Sequence, residues 1–234
     1  MNKRGVSTVE IIVSFTIFLT FVLFIFLYLN PVKHDILPSL FAALEAGLKK
    51  ESNVELTELP FVVSAGMTES CFQIQISNVL NLSKGNVSVM DADENVLSHG
   101  ISASGNEMQI QKKNRLYRLL QSPEIPKASP LTGCKVLNQN DYAFSVERAE
   151  MIYSYKKLME INKSYYIPNE YTDLKKRFDF PITSDFAISI ASDNFNITMA
   201  KNIPPAVEIK SRRYPIQILQ DDVRKSATLS LVVW

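Results

Sequence analysis

The sequence predicts an α+β protein: an N-terminal membrane-spanning helix, then a β-rich extracytoplasmic head with a helical insertion. Three observations predict it. The chain opens with Lys3 and Arg4, places one carboxylate at Glu10, and runs from Ile11 to Leu29 without a charge. As a helix that run is ~28 Å long, close to the thickness of a bilayer's hydrocarbon layer. From Val54 the pattern turns to the alternation of strands, and between about Ser145 and Phe178 it returns to helical spacing.

The basic head would keep the N-terminus cytoplasmic and send the rest of the chain across. A cleaved secretory signal fits less well, because the apolar run is long and LNPVKHDI follows it with no small-residue cleavage site. Glu10 has a local explanation: Ser7-Thr8-Val9-Glu10 reads as a capping box, with Val6 and Ile11 as its hydrophobic staple. A carboxylate in the first turn also suits the helix dipole.

Asn30-Pro31 and Pro38 interrupt the helical pattern. Ser39 then starts an amphipathic helix with Leu40, Phe41, Leu44 and Leu48 on one face and Glu45, Lys49 and Lys50 away from it. The residues therefore divide into a helix at 6–30, a joint and second helix at 31–50, and a head at 51–234 with helices around 147–178. Within the head, VELTELPFVVS, CFQIQISNV, NVSVMD, MQIQ and NRLYRLLQS read as strands. MDADENVLSHG reads as a hairpin turn, with Val87 and Val89 entering and Val96 and Leu97 leaving. Asp91, Asp93 and Asn95 match the start of a calcium loop. That loop needs Gly and Glu where this chain has Val96 and Ser102, so the turn is preferred.

The helical insertion places Met151, Ile152, Tyr155, Leu158 and Met159 at core spacing, and a shorter helix, started by Thr172 or Asn169, follows in NEYTDLKKRF. DFAISIAS, AVEIKSR, YPIQILQ and ATLSLVVW return to strands, with QDDVRKSA as a hairpin loop. The last strand is expected either docked inside a sheet or at an edge used for subunit pairing.

Composition excludes several functions. With 25 basic and 24 acidic side chains the net charge is +1, so nothing points to nucleic acid. Two histidines, His34 and His99, cannot build a triad or a histidine-rich metal site. Seven glycines form no phosphate-cradling string, and the two cysteines have no C-x-x-C spacing. The chain reads as a non-enzyme without cofactor or metal. Cys71 and Cys134 could form a disulfide outside the cytoplasm, closing a loop worth ~4 kcal/mol, or stay as two buried thiols. Asn81, Asn86, Asn162 and Asn196 each begin an N-x-S/T acceptor motif for N-glycosylation.

Lys3-Arg4-Gly5, then VSTVE and the apolar run, resemble the class III signal sequence of archaeal type IV pilin-like proteins. YTDLKKRFDFPITSDFAISI is a looser likeness to segments of the same family. The resemblance implies a leader of residues 1–5, cut by a prepilin peptidase after Gly5 to leave Val6 as the new N-terminus. It implies assembly through the apolar helix, with Glu10 pairing with a neighbouring subunit's amine, since a buried charge is tolerable when paired. Partners would be membrane lipid, the peptidase, other pilin-like subunits and an assembly platform. The size of the head points to a minor subunit of a surface filament or pseudopilus. The alternative is a single-pass membrane-anchored extracytoplasmic binding module that does not polymerise, with Glu10 only a cap.

Overall fold

A computed structural model describes residues 8–29, 37–64, 68–102, 105–205 and 207–234; within the first helix, α1 (Thr8–Leu29), side chains are described over 9–25. The chain divides into two units, Met1–Ser39 and Leu40–Trp234.

The expected membrane-spanning helix is corrected first. Among the described residues no helix is long and apolar enough to cross a membrane. This overturns both the single-pass anchor and the membrane localisation built on it. The fold is a β-rich domain, 40% strand against 29% helix, whose large sheet forms a half-barrel.

The second unit begins within α2 (Leu37–Ser52), whose Leu40, Phe41, Leu44 and Leu48 are buried as their spacing predicts. Eight strands follow: β1 (Asn53–Val63), β2 (Cys71–Gln75), β3 (Asn86–Asp91), β4 (His99–Ile101), β5 (Glu107–Gln111), β6 (Leu116–Ser122), β7 (Lys135–Val136) and β8 (Tyr142–Phe144). After β9 (Arg148–Ser154) come α3 (Tyr155–Tyr166), α4 (Pro168–Arg177), β10 (Phe186–Ser192), β11 (Phe195–Met199), β12 (Lys210–Gln220) and β13 (Val223–Val233). The large sheet has the order β11-β10-β13-β12-β9-β1-β6-β3, with β8 also on β1, and a smaller sheet has the order β4-β5-β2-β7.

β1 explains why the core has separate parts. Its even residues Val54 and Leu56 join Met90, Leu120, Ile152 and Leu219 in one cluster. Its odd residues Leu59, Phe61 and Val63 join the inner side of the smaller sheet through Phe72 and Ile74. Successive side chains point to opposite faces, so one long strand serves two cores from its two ends. Phe61 stacks on Tyr117 at 5.1 Å between ring centroids, and Phe72 meets Tyr117 edge-on at 5.3 Å. A third, aromatic group gathers Tyr165, Tyr171, Phe178 and Phe180 around the buried Phe186.

Several expected elements differ. The helix expected from residue 147 begins at Tyr155; the residues before it form β9, paired with β1 from Glu58↔Arg148 to Asn53↔Tyr153. Glu and Met favour helix locally, but the open edge of β1 supplies partners that outweigh propensity. Ser154 then caps α3, its Oγ accepting from the Lys157 N–H at 3.1 Å. Pro168 at the first position, rather than Thr172 or Asn169, starts α4. AVEIKSR is a strand only from Lys210, and β11 is an additional strand. The expected hairpin after β3 closes through a single bridge, Met90↔Val96, before the chain passes to the smaller sheet. β13 lies between β10 and β12, and Trp234 exchanges two backbone hydrogen bonds with Asp185, at 2.8 and 3.0 Å. The C-terminal strand is therefore internal and offers no edge.

Candidate functional site

The strongest candidate is the surface of α1. Between residues 9 and 25 the only ionisable group is Glu10, in the first turn. Phe15, Phe18, Phe21 and Phe24 are each at least 60% exposed, and the aliphatic residues between them are exposed as well. A spacing of three rotates around a helix of 3.6 residues per turn, so these side chains cover several faces. Two of its hydroxyls are satisfied within the helix: Thr16 Oγ1 donates to the Ile12 carbonyl and Thr20 Oγ1 to the Thr16 carbonyl, both at 2.8 Å. Such a surface has little to offer water, and a helix that is apolar all round is normally buried.

The other sequence-predicted residues lie apart from it. Lys3, Arg4, Gly5 and Val6 lie outside the described residues. Cys71, at the start of β2, and Cys134, just before β7, are joined in a disulfide with Cα atoms 4.8 Å apart. It fastens the parallel pairing Phe72↔Lys135 that follows immediately. Among the glycosylation motifs, Asn81 Oδ1 accepts from the Ser83 N–H at 3.1 Å and caps a short helical turn. Asn86 Nδ2 donates to the Ile125 carbonyl at 2.8 Å. Asn162 Oδ1 is buried on α3, whereas Asn196 is exposed on β11 with Thr198 Oγ1 3.4 Å from its Oδ1.

Asp91 serves the turn. Its Oδ1 accepts from the Asp93 and Asn95 N–H groups, each at 2.9 Å, and its Oδ2 meets Lys113 Nζ at 2.8 Å. The hydrogen bond from Lys113 holds this carboxyl well below the usual range against the opposing effect of burial. Among the described residues no group of His, Cys, Asp and Glu could hold a metal ion.

Sequence reasoning missed one polar cluster. Lys175, buried on α4, donates to the carbonyls of Ile182 (3.2 Å) and Ser184 (2.7 Å) and to the Asp185 carboxylate. Tyr171 donates to the same carboxylate oxygen at 2.9 Å, and the Lys201 ammonium lies 3.1 Å from the Tyr171 ring centroid. Burial would raise the Asp185 carboxyl, but Lys175 and Tyr171 outweigh it and hold the group low. Burial pushes the Tyr171 phenol far up. Lys175 and Tyr171 converge on one Asp185 oxygen while Lys175 also holds two loop carbonyls, so the cluster clamps the 178–185 loop. Spacing alone gave no signal for it, because its members come from separate elements.

A cleft of about 640 Å³ is lined by Asn78, Asn81, Lys84, Asn106, Gln121 and Glu147 among others. Gln121 donates inward to the carbonyls of Asn81 (2.8 Å) and Gly85 (3.1 Å). Compared with known proteins, the chain matches no family model, no curated protein and no solved structure.

Proposed function

We propose that this chain is a pilin-like subunit, of the minor kind, that assembles with other subunits through α1. The observation that carries the reading is the exposed, almost wholly apolar surface of α1 with its single carboxylate at Glu10. Burying a Leu, Ile or Phe side chain stabilises by about 1.5–3 kcal/mol, so packing α1 against copies of itself offers a large driving force. The cost of association consumes part of that, and the remainder favours a bundle of helices. Glu10 would be costly in such a bundle unless paired. Cleavage after Gly5 by a prepilin peptidase would create an amine at Val6 that a neighbouring subunit's Glu10 can meet in the bundle. The resemblance of KRG-VSTVE to class III signal sequences supports the same scheme.

The test is the intact mass and sedimentation of the full chain produced with a prepilin peptidase. The expected product begins at Val6 and forms pelletable polymers. Glu10→Gln and Glu10→Ala should abolish polymers while leaving the melting of the β-rich unit unchanged. A product still carrying residues 1–5, or Glu10→Gln polymers indistinguishable from the parent's, refutes the proposal and favours a non-polymerising binding module.

A further inference from the structure

The large sheet is continuous in strand order but not in pairing. β9 and β12 share only two parallel pairs, Ile218↔Tyr153 and Leu219↔Ser154. β9 nevertheless pairs with β1 back to Arg148, and β12 with β13 back to Lys210. The shared register is an offset of 65 residues, which would bring Pro215 level with Glu150 and Arg213 level with Arg148. Pro215 has no N–H to give a ladder, and two guanidinium groups directly opposite repel. Both features keep the strands from closing together. Among the described residues, the edge of β9 over 148–152 and that of β12 over 211–217 have no ladder partner across the gap.

The two faces of this wedge differ in chemistry. On the α2 side, Met151, Tyr153, Tyr214, Ile216 and Leu229 line a cleft of about 330 Å³ beneath Glu45 and Lys49. Strand alternation puts Arg148 and Arg213 on the other face. Both are exposed, and neither is among the described ion pairs. Nearby acids are already engaged: Glu58, level with Arg148 across the β1 ladder, by Arg118 and Arg224, Glu150 by Arg224, and Glu45 by Lys49 at 2.6 Å. On the Arg148 and Arg213 face the charge left over is positive, while the α2 side is apolar beneath the Glu45–Lys49 pair, with Arg212 over the Phe41 ring at 4.7 Å.

We propose that the wedge between β9 and β12 receives an extended peptide segment of alternating apolar and acidic side chains. Its backbone pairs with the open edge of β9, which no proline interrupts, its apolar side chains enter the cleft beneath α2, and its carboxylates meet Arg148 and Arg213. Strand addition of this kind draws affinity from main-chain hydrogen bonds and specificity from alternate side chains. The proposal is independent of α1 and of subunit assembly.

Fluorescence anisotropy of a capped, dye-labelled peptide of alternating Glu and Val, titrated with the full chain, tests it. Saturable binding is expected, weakened about tenfold or more by the Arg148→Glu/Arg213→Glu pair. A peptide with Lys in place of Glu should not bind. Should charge reversal unfold the chain, Arg148→Gln/Arg213→Gln gives the same reading at several-fold loss. No binding, equal binding of the Lys peptide, or indifference to both Arg pairs overturns the proposal. So does self-association of the full chain that the Arg pair abolishes without any peptide binding, which assigns the wedge to a second copy.

Discussion

Replacing Gly47 by Ala should destabilise the protein, opposite in sign to the same change on an ordinary helix. In a helix interior Ala is better than Gly by about 1 kcal/mol, because Gly loses more backbone freedom. Gly47 is buried on α2, and a Cβ there would lie 2.6 Å from Phe178 Cα, Cβ and Cγ alike. Two of these belong to the root of the side chain, so no rotamer change relieves the clash. Phe178 has little room to retreat: it is 1% exposed and packs against Phe186 at 5.9 Å between centroids. It also ends α4, its N–H donating to the Leu174 carbonyl at 3.0 Å. Overpacking of this kind costs about 1–3 kcal/mol, which exceeds the propensity gain. A net loss of about 1 kcal/mol should lower the Tm by roughly 2–4 °C for a chain of this size. Thermal melting of the full chain followed by tyrosine circular dichroism, with α1 shielded in mild detergent, measures it. Ala46→Gly, at the adjacent exposed position, is the control and should lose about 1 kcal/mol from propensity alone. A Gly47→Ala protein that melts higher than the parent refutes the contact between α2 and the end of α4.

Removing the disulfide by Cys71→Ser and Cys134→Ser together should cost ~4 kcal/mol, from the entropy of a loop whose ends are 63 residues apart. Urea melts of oxidised, reduced and doubly substituted chains check this, and coincident midpoints would contradict it. Acid should destabilise the fold in a specific window. Asp91 and Asp185 both lie below their ordinary value of 3.8 in the folded protein. Their contribution is therefore fully present above about pH 4 and is lost as pH falls through 3.8 toward the folded values, because the unfolded chain takes up protons first. Asp91→Asn should flatten part of that decline in urea midpoint, whereas an unchanged slope would remove Asp91 from the account. The Tyr153 phenol, pushed up to about 12 by burial, should stay neutral in an alkaline ultraviolet titration until the pH nears that value.

Much of the local structure was legible from side-chain periodicity. The buried face of α2, the change to strands near Val54, and the strands containing Phe72, Ile110, Leu119 and Ile188 all follow from spacing. Sequence also determined that α1 is mostly apolar and carries only one carboxylate, since that is composition. Tertiary structure alone decided the rest. Arg148–Ser154 became β9 because β1 offered an unpaired edge, although its residues suit a helix equally well. Asp185 found Lys175 and Tyr171 only when α4 folded back over the loop that follows it. The wedge exists because β9 and β12, more than fifty residues apart in sequence, meet at two residue pairs and then diverge. Periodicity records which way each side chain must face, a property of neighbouring residues. Which strand completes a ladder, and which charge finds a partner, depends on surfaces that come together only when distant segments pack.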